Sequence, residues 1–431
     1  MKQLLHSTEH HVIAALNEEA VVALLSSTDE DGKARVVVGL NPSKETGGGD
    51  VSGGNPVLAV VSSLSEDDKS LTCAVSRQDK TLTIYSIRLT TLGGSSNNVD
   101  PIAVYKTPKQ VGTLAFASVS SDTTTLEIIV AGDFEGNVMA YPVEAGGSGV
   151  SRLLLGHTAS MLTGLRIVYS STDNTTRILT SDRDEKIRVS SFPGTFVVEG
   201  YLLGHTEYVS SLDVSKNEAC PLCVTCGGDG TIRLWDYTSC EELDVVKADQ
   251  SFGEGGGEGS VEVPLGVAIN PGGSIIAVIW IGNTRVDIYR VTEAKSLEKI
   301  QSIECSEQPL VASFLADGSL AVLAKDPAYL VQYKAMPNGD AGREASFSLL
   351  DDDSSALSRC LKSFGSAGKI SMPGSPLEAA DLRKEEVSSR QSVRDKEWNN
   401  AERKVTDKAR IARRKKRKRQ EKKAAKQAME Q

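Results

Sequence analysis

The sequence predicts an all-β chain folded as a seven-bladed β-propeller, continued by a basic C-terminal extension of helical composition. Three observations carry this. A central segment opens with Gly-His and closes with Trp-Asp. Weaker copies recur on both sides at intervals suited to four short strands. Runs rich in Gly, Ser and Asn fall between them.

The central unit begins Leu203-Gly-His205-Thr-Glu-Tyr-Val209 and ends Gly228-Asp229-Gly-Thr-Ile-Arg-Leu-Trp235-Asp236, the signature of a WD repeat. An Asp at the turn between two strands can accept from the His ring, which can in turn meet the Trp indole of the neighbouring strand. This chain of hydrogen bonds satisfies polar groups that the blade must bury. His205, Asp229 and Trp235 are therefore read as structural. WD repeats usually add Ser or Thr two residues before the Asp. That place is Gly227, which predicts a network one member short.

The preceding unit carries Leu155-Gly-His157-Thr158 and Leu179-Thr-Ser-Asp182-Arg-Asp184, and His157 with Asp184 is read as its structural pair. Aligning the two turns sets Ser190 where Trp235 stands. Other units close on Tyr85, Tyr141, Tyr289 and Tyr333. The closing positions are 56, 49, 45, 54 and 44 residues apart. A four-stranded blade needs about 40–45, and the longer intervals hold the inserts Gly47–Gly54, Gly93–Asn98, Gly146–Gly149 and Gly253–Gly259. A seventh unit can be made from His11–Leu16, Ala20–Ser26 and Ala34–Leu40. Leu212, Val214, Ile232 and Leu234 mark inward faces by alternation. The propeller is expected over residues 1–340, a linker over 341–376 and a basic helical or disordered tail over 377–431.

The tail begins with Ser375-Pro-Leu-Glu378, a capped helix start, and from Leu377 onward holds neither Gly nor Pro. Residues 394–431 carry 16 Lys and Arg against 6 Asp and Glu, so the net charge of −9 divides into −19 before the tail and +10 within it. Arg413, Arg414, Lys415, Lys416, Arg417, Lys418 and Arg419 are consecutive. Such a run suits RNA phosphates, a nuclear import signal, or a merely solvated tail.

The seven Cys are odd in number and scattered, which argues against a disulfide framework. Cys220, Cys223 and Cys226 invite a metal reading, but Leu222–Cys226 reads as a buried strand whose alternation sends Cys223 and Cys226 to opposite faces. No metal ligands are therefore assigned. No apolar run is long enough to span a bilayer, and the first residues lack the apolar centre of a signal peptide, so a soluble intracellular protein is expected. There is no His-Glu-x-x-His, Gly-x-Ser-x-Gly or phosphate loop, and no catalytic residue is assigned. A site in the central channel is the reading that an enzyme would require.

The run Asp182-Arg183-Asp-Glu-Lys186-Ile-Arg188-Val-Ser190, with the two units around it, resembles the non-catalytic WD-repeat subunit of the eukaryotic tRNA (guanine-N7-)-methyltransferase. The strong part of the likeness covers Leu153–Leu243. The resemblance implies a catalytic partner that binds S-adenosylmethionine and forms N7-methylguanosine in the tRNA variable loop, at position 46. It implies a heterodimer that meets tRNA as a complex, no cofactor bound by this chain, and a nuclear location. It also implies that Lys186 and Arg188, with Arg183, face acidic residues of the partner. Read without the family, Lys186, Arg188 and Ser190 alternate onto one strand face, and Arg233 in the next unit shows that an Arg at the second place is not special by itself. A general WD-repeat scaffold, in ribosome assembly or ubiquitin ligation, is the alternative.

Overall fold

The computed structural model describes residues 5–7, 11–16, 19–24, 37–40, 55–65, 69–88, 99–120, 125–143, 150–158, 160–248, 262–316, 318–324, 330–337 and 345–349. All lie in the compact unit Met1–Pro373. They form seven antiparallel sheets of four strands each, every sheet made from one continuous stretch of chain.

Blade 1 holds β1 (Leu5–Ser7), β2 (His11–Leu16), β3 (Glu19–Leu24) and β4 (Val37–Leu40). Blade 2 holds β5 (Val57–Leu64), β6 (Ser70–Arg77), β7 (Thr81–Arg88) and β8 (Pro101–Lys106). Blade 3 holds β9 (Val111–Ser120), β10 (Thr125–Asp133), β11 (Asn137–Pro142) and β12 (Arg152–Gly156). Blade 4 holds β13 (Leu162–Ser170), β14 (Thr175–Asp182), β15 (Lys186–Ser191) and β16 (Val198–Leu203). Blade 5 holds β17 (Val209–Val214), β18 (Leu222–Gly227), β19 (Thr231–Asp236) and β20 (Glu241–Lys247). Blade 6 holds β21 (Pro264–Ile269), β22 (Ile275–Trp280), β23 (Arg285–Val291) and β24 (Leu297–Glu304). Blade 7 holds β25 (Pro309–Phe314), β26 (Leu320–Ala324), β27 (Leu330–Pro337) and β28 (Ala345–Leu349).

The first strands of successive blades lie side by side around an axis, and β1 lies against β25. The ring thus closes by packing blade 1 on blade 7, and no strand is exchanged between blades. Each sheet keeps two short edges, its first strand toward the axis and its fourth on the outer rim.

Two expectations shift. Tyr85, Tyr141, Ser190, Trp235, Tyr289 and Tyr333 stand in the third strand of their blades, and a fourth strand follows each. For the same reason the propeller does not stop at residue 340. Strand β28 lies inside the stretch expected to be a linker, with Phe347 buried against Phe314 and Ile303. Its Ala-Ser-Phe-Ser-Leu alternation is a strand pattern, and the polar residues 338–344 before it hide it in the sequence.

Between blades the core is a stack of apolar layers. Ile187, Val189 and Leu202 of blade 4 meet Val209, Leu212, Val214, Cys223, Trp235 and Tyr237 of blade 5. The opposite face of blade 5, through Val224, Cys226, Ile232 and Leu234, meets Val267, Ile276 and Val278 of blade 6. Each such fully buried side chain contributes roughly 1.5–3 kcal/mol by leaving water. Cys223 and Cys226 fall in different layers, as strand alternation requires. Burial raises both thiols, Cys226 to about 12, where neither is a ready thiolate.

The four Gly-rich inserts, the residues 350–376, and the whole tail with Arg413–Arg419 lie outside the described residues.

Candidate functional site

The local geometry of blade 5 follows from its turn. Gly230 takes a φ of 70°, a left-handed conformation that glycine adopts without a Cβ penalty, and delivers the chain into β19. Asp229, beside it, accepts from Thr231 N at 3.1 Å, Thr231 Oγ1 at 2.8 Å and Thr206 N at 3.1 Å. It also meets His205 Nδ1 at 3.1 Å. His205 Nε2 lies 2.8 Å from Thr225 Oγ1, which accepts from Trp235 Nε1 at 2.8 Å. With its proton on Nδ1, one imidazole donates to Asp229 and accepts from Thr225, so every group has a partner. Burial alone would raise the Asp229 carboxyl. The hydrogen bonds from His205, Thr231 and Thr206 outweigh it and hold the group well below the usual carboxylate range.

The missing member expected at Gly227 is therefore supplied by Thr225, from the middle of β18, and the network is complete. Aligning the turns 45 residues apart pairs Thr225 with Thr180, a signal present in the sequence.

Blade 4 repeats part of this plan. His157 Nε2 lies 2.8 Å from Thr180 Oγ1, and Nδ1 lies 2.7 Å from Asp182 Oδ2. The acidic partner of His157 is thus Asp182 and not Asp184. Asp182, at the end of β14, is the residue whose carboxylate reaches both the ring and the turn. Its Oδ1 accepts the backbone N–H of Asp184 at 2.8 Å and of Lys186 at 3.2 Å. Asp133 does the same for the blade 3 turn, accepting from Glu135 N and Asn137 N at 2.8 and 2.9 Å.

The candidate binding residues follow this turn. Lys186 is exposed, Arg188 is half-buried and Ile187 between them is fully buried, so the two cations share the face away from blade 5. Across the ladder Lys186 pairs with Leu203 and Arg188 with Tyr201. Side chains directly opposite on paired strands lie on one face. Arg188 donates from Nε to Ser190 Oγ at 2.8 Å and from Nη2 to the Thr195 carbonyl at 2.9 Å. Both acceptors are neutral. Neither Lys186 nor Arg188 forms an ion pair among the described residues. Arg183 sits half-buried in the turn, its N–H donating to the Met161 carbonyl at 3.0 Å.

Arg233, 45 residues on, shows the contrast. Its Nη1 pairs with Glu242, its Nη2 stands 3.9 Å from Asp229, and its Nε donates to Thr231 Oγ1 at 3.1 Å. The guanidinium is held over a gap that glycine keeps open. A Cβ at Gly204 would stand 2.5 Å from Arg233 Nη1 and 3.1 Å from the Trp235 ring. At Gly156, the equivalent position before His157, the nearest atom would be 3.8 Å away.

Sequence reasoning missed a different solution in blade 6, which has no Gly-His. Asp287 is fully buried and accepts from Trp280 Nε1 at 2.9 Å, Arg285 Nε at 3.1 Å and Ser302 Oγ at 2.6 Å, with Lys299 Nζ at 3.0 Å. Burial would raise its carboxyl, and these donors bring it below the ordinary value instead. Arg285 also pairs with Glu262 and lies over the Trp280 ring, 5.2 Å from its centroid. Only Trp280 on β22 and the alternating Arg285 and Asp287 hinted at it in the sequence.

A cavity of about 420 Å³ runs along the axis between the first strands. In its lining Arg166 Nε donates to Asp213 Oδ1 at 2.9 Å, and Asp213 Oδ2 accepts from Ile269 N at 3.0 Å. The two charges neutralise each other across blades 4, 5 and 6 and leave neither as a free acid or base. Among the described residues no three His, Cys, Asp or Glu side chains cluster to hold a metal ion.

Residues 146–336 match the family described as the tRNA methyltransferase TRM82 WD40 domain. That stretch, a little under half of the chain, is similar to the TRM82 WD40 domain. Its relatives agree. The non-catalytic subunit wuho of tRNA (guanine-N(7)-)-methyltransferase from Aedes aegypti is 35% identical over 169 residues, 38% of this chain and 38% of that protein. The corresponding subunit TRM82 of Vanderwaltozyma polyspora is 31% identical, covering 44% and 41% of the two chains. The human subunit WDR4 is 41% identical over 118 residues, 27% of each. The matches thus span less than half the length of these relatives. The run from Asp182 to Ser190 lies inside the matched residues, which continue through blades 5 and 6 into blade 7.

Solved structures give the fold. A chain of the mitotic checkpoint complex superposes with a TM-score of 0.54 at 16% identity, covering 75% of this chain and 87% of that one. U3-55K superposes with a TM-score of 0.53 at 15% identity, covering 73% and 85%.

Proposed function

We propose that this chain is the non-catalytic subunit of a tRNA (guanine-N7-)-methyltransferase. It forms a heterodimer with the catalytic subunit, which binds S-adenosylmethionine and makes N7-methylguanosine in the tRNA variable loop. The propeller holds that subunit in its active conformation and helps present the tRNA. The complex works in the nucleus, with the Arg413–Arg419 run serving tRNA phosphates or import. The names of the relatives support this reading.

The observation that carries the contact is the unneutralised pair Lys186 and Arg188. Both project from a strand pinned by Asp182 and Ile187, on a body whose overall charge is acidic. A partner carboxylate brought to them replaces water at cations with no counter-ion among the described residues. Truncating or inverting such a desolvated pair costs roughly 2–5 kcal/mol of binding.

The test is co-purification of the full chain from its source cells, followed by transfer of labelled methyl groups to tRNA. The wild-type chain is expected to bring down a methyltransferase that depends on it for activity. Lys186→Glu with Arg188→Glu is expected to fold normally and release it. Undiminished co-purification by that variant removes these residues from the interface. Capture of other partners without methyl transfer by the wild-type chain removes the function.

A further inference from the structure

The outer edges of the blades differ in chemistry. In blades 5 and 6 the edge strands read Glu-Glu-Leu-Asp-Val-Val-Lys and Leu-Glu-Lys-Ile-Gln-Ser-Ile-Glu. Charges of this kind on an edge discourage pairing with other chains. In blades 3 and 4 they read Arg-Leu-Leu-Leu-Gly and Val-Glu-Gly-Tyr-Leu-Leu. The one charge on β16, Glu199, is turned inward along the sheet, accepting from Arg177 Nε at 2.6 Å and Ser191 Oγ at 2.7 Å. Leu153, Val198, Tyr201 and Leu203 are left exposed, Leu203 by 63%.

The hairpin between β15 and β16 adds to this rim. Phe196 at its tip is 86% exposed. The hairpin is nevertheless braced. Thr195 Oγ1 donates to the Leu154 carbonyl of β12, Arg188 holds the Thr195 carbonyl, and Phe192 packs in the layer between blades 3 and 4. A fixed, solvent-facing aromatic side chain is costly in water and is the kind of anchor that dominates protein interfaces. The ladder sets Leu203 and Tyr201 beside Lys186 and Arg188, on the one face of blade 4 that looks away from blade 5.

We propose that this outer rim of blade 4 is a docking surface for an apolar segment of the catalytic subunit, one flanked by carboxylates that reach Lys186 and Arg188. The inference rests on the methyltransferase-subunit reading and assigns the apolar half of that contact to Phe196, Tyr201 and Leu203. The cations select an acidic partner, and the apolar edge supplies the part of the affinity that salt does not screen.

Two measurements on the full chain and its co-purified catalytic subunit test this. Hydrogen exchange of the unmodified chain is expected to slow over residues 196–203 when the subunit binds. Phe196→Asp with Leu203→Asp is expected to weaken binding about tenfold or more at both low and high salt, while Lys186→Glu with Arg188→Glu weakens it most at low salt. Unchanged exchange over 196–203, or wild-type affinity of the Phe196 and Leu203 variant, overturns the docking surface. The subunit reading stands in that case, because the wild-type chain still binds a methyltransferase. Protection already present in the isolated chain and lost on deletion of residues 377–431 would make the tail the occupant. Dimerisation of the wild-type chain abolished by the same double substitution would make it a second copy. Either result also overturns the proposal.

Discussion

Blades 4 and 5 are built on one plan and use it for different ends. Each opens with Gly-His, each ties the His ring to a Thr in its second strand, and each sets an Arg at the same place in its third strand. In blade 5 the corresponding groups are satisfied within the blade. Trp235 meets Thr225, Arg233 meets Glu242 and Asp229, and the outer edge is charged. In blade 4 Ser190 replaces the Trp, Arg188 finds only neutral acceptors, and the outer edge is apolar. A blade that saturates its own side chains contributes stability to the ring. One that leaves a cation and an apolar edge unsatisfied has surface to offer a partner. Binding thus concentrates where the repeat departs from its pattern.

The comparison is broken most forcefully at the third strand. Trp235→Ala removes a ring that is 1% exposed and leaves Thr225 with one donor fewer. It is expected to destabilise the chain by about 3–5 kcal/mol. Ser190→Ala at the matching position forfeits one hydrogen bond from Arg188, about 1 kcal/mol. Urea unfolding midpoints of the two variants should differ clearly. Equal midpoints would mean that blade 5 is no stiffer than blade 4.

The arginines sharpen the same contrast with a smaller effect. Arg233→Ala leaves Glu242 without its partner and Asp229 with less support, for about 1–2 kcal/mol of stability. It is expected to leave partner binding unchanged. Arg188→Ala, which loses two hydrogen bonds but no ion pair among the described residues, should cost a similar amount on folding, about 1–2 kcal/mol, yet release the partner. Calorimetric melts and pull-downs on both variants read the two effects separately. The division of labour fails if both substitutions act alike.

Much of this was legible in the sequence, and the lapses have physical causes. Gly-His and Trp-Asp mark a blade because the hydrogen-bonded chain that joins them needs those residue types at the strand ends. Thr225 and Thr180 escaped notice because a hydroxyl in mid-strand looks like any β-branched filler. Asp182 was passed over for Asp184 because a turn with three acidic residues offers several carboxylates, and only the backbone path decides which one reaches His157. Strand β28 was lost because the weak blades lack the polar network and its punctuation. The cation pair was visible, but not its lack of counter-ions, since that depends on what the neighbouring strands bring near. The apolar edge was hidden for the same reason. Nothing in the sequence marks Leu203 as exposed, and only the sheet order makes β16 an outer strand.

The turns that lead into the third strands offer the finest distinction. Gly230 and Glu185 occupy the same place, with φ of 70° and 73°. For glycine this conformation is free of Cβ strain, whereas for Glu it costs about 1 kcal/mol or more. Nothing among the described residues repays Glu185 with a side-chain hydrogen bond or ion pair, and it is exposed beside Lys186. Glu185→Gly is therefore expected to stabilise the isolated chain slightly, by up to about 1 kcal/mol, in thermal unfolding. If blade 4 is shaped for a partner, the same substitution should leave the complex no tighter, or loosen it, because the turn that aims Lys186 has become more pliable. A variant both more stable alone and tighter in complex would mean that Glu185 is plain strain, and that the turn of blade 4 owes nothing to binding.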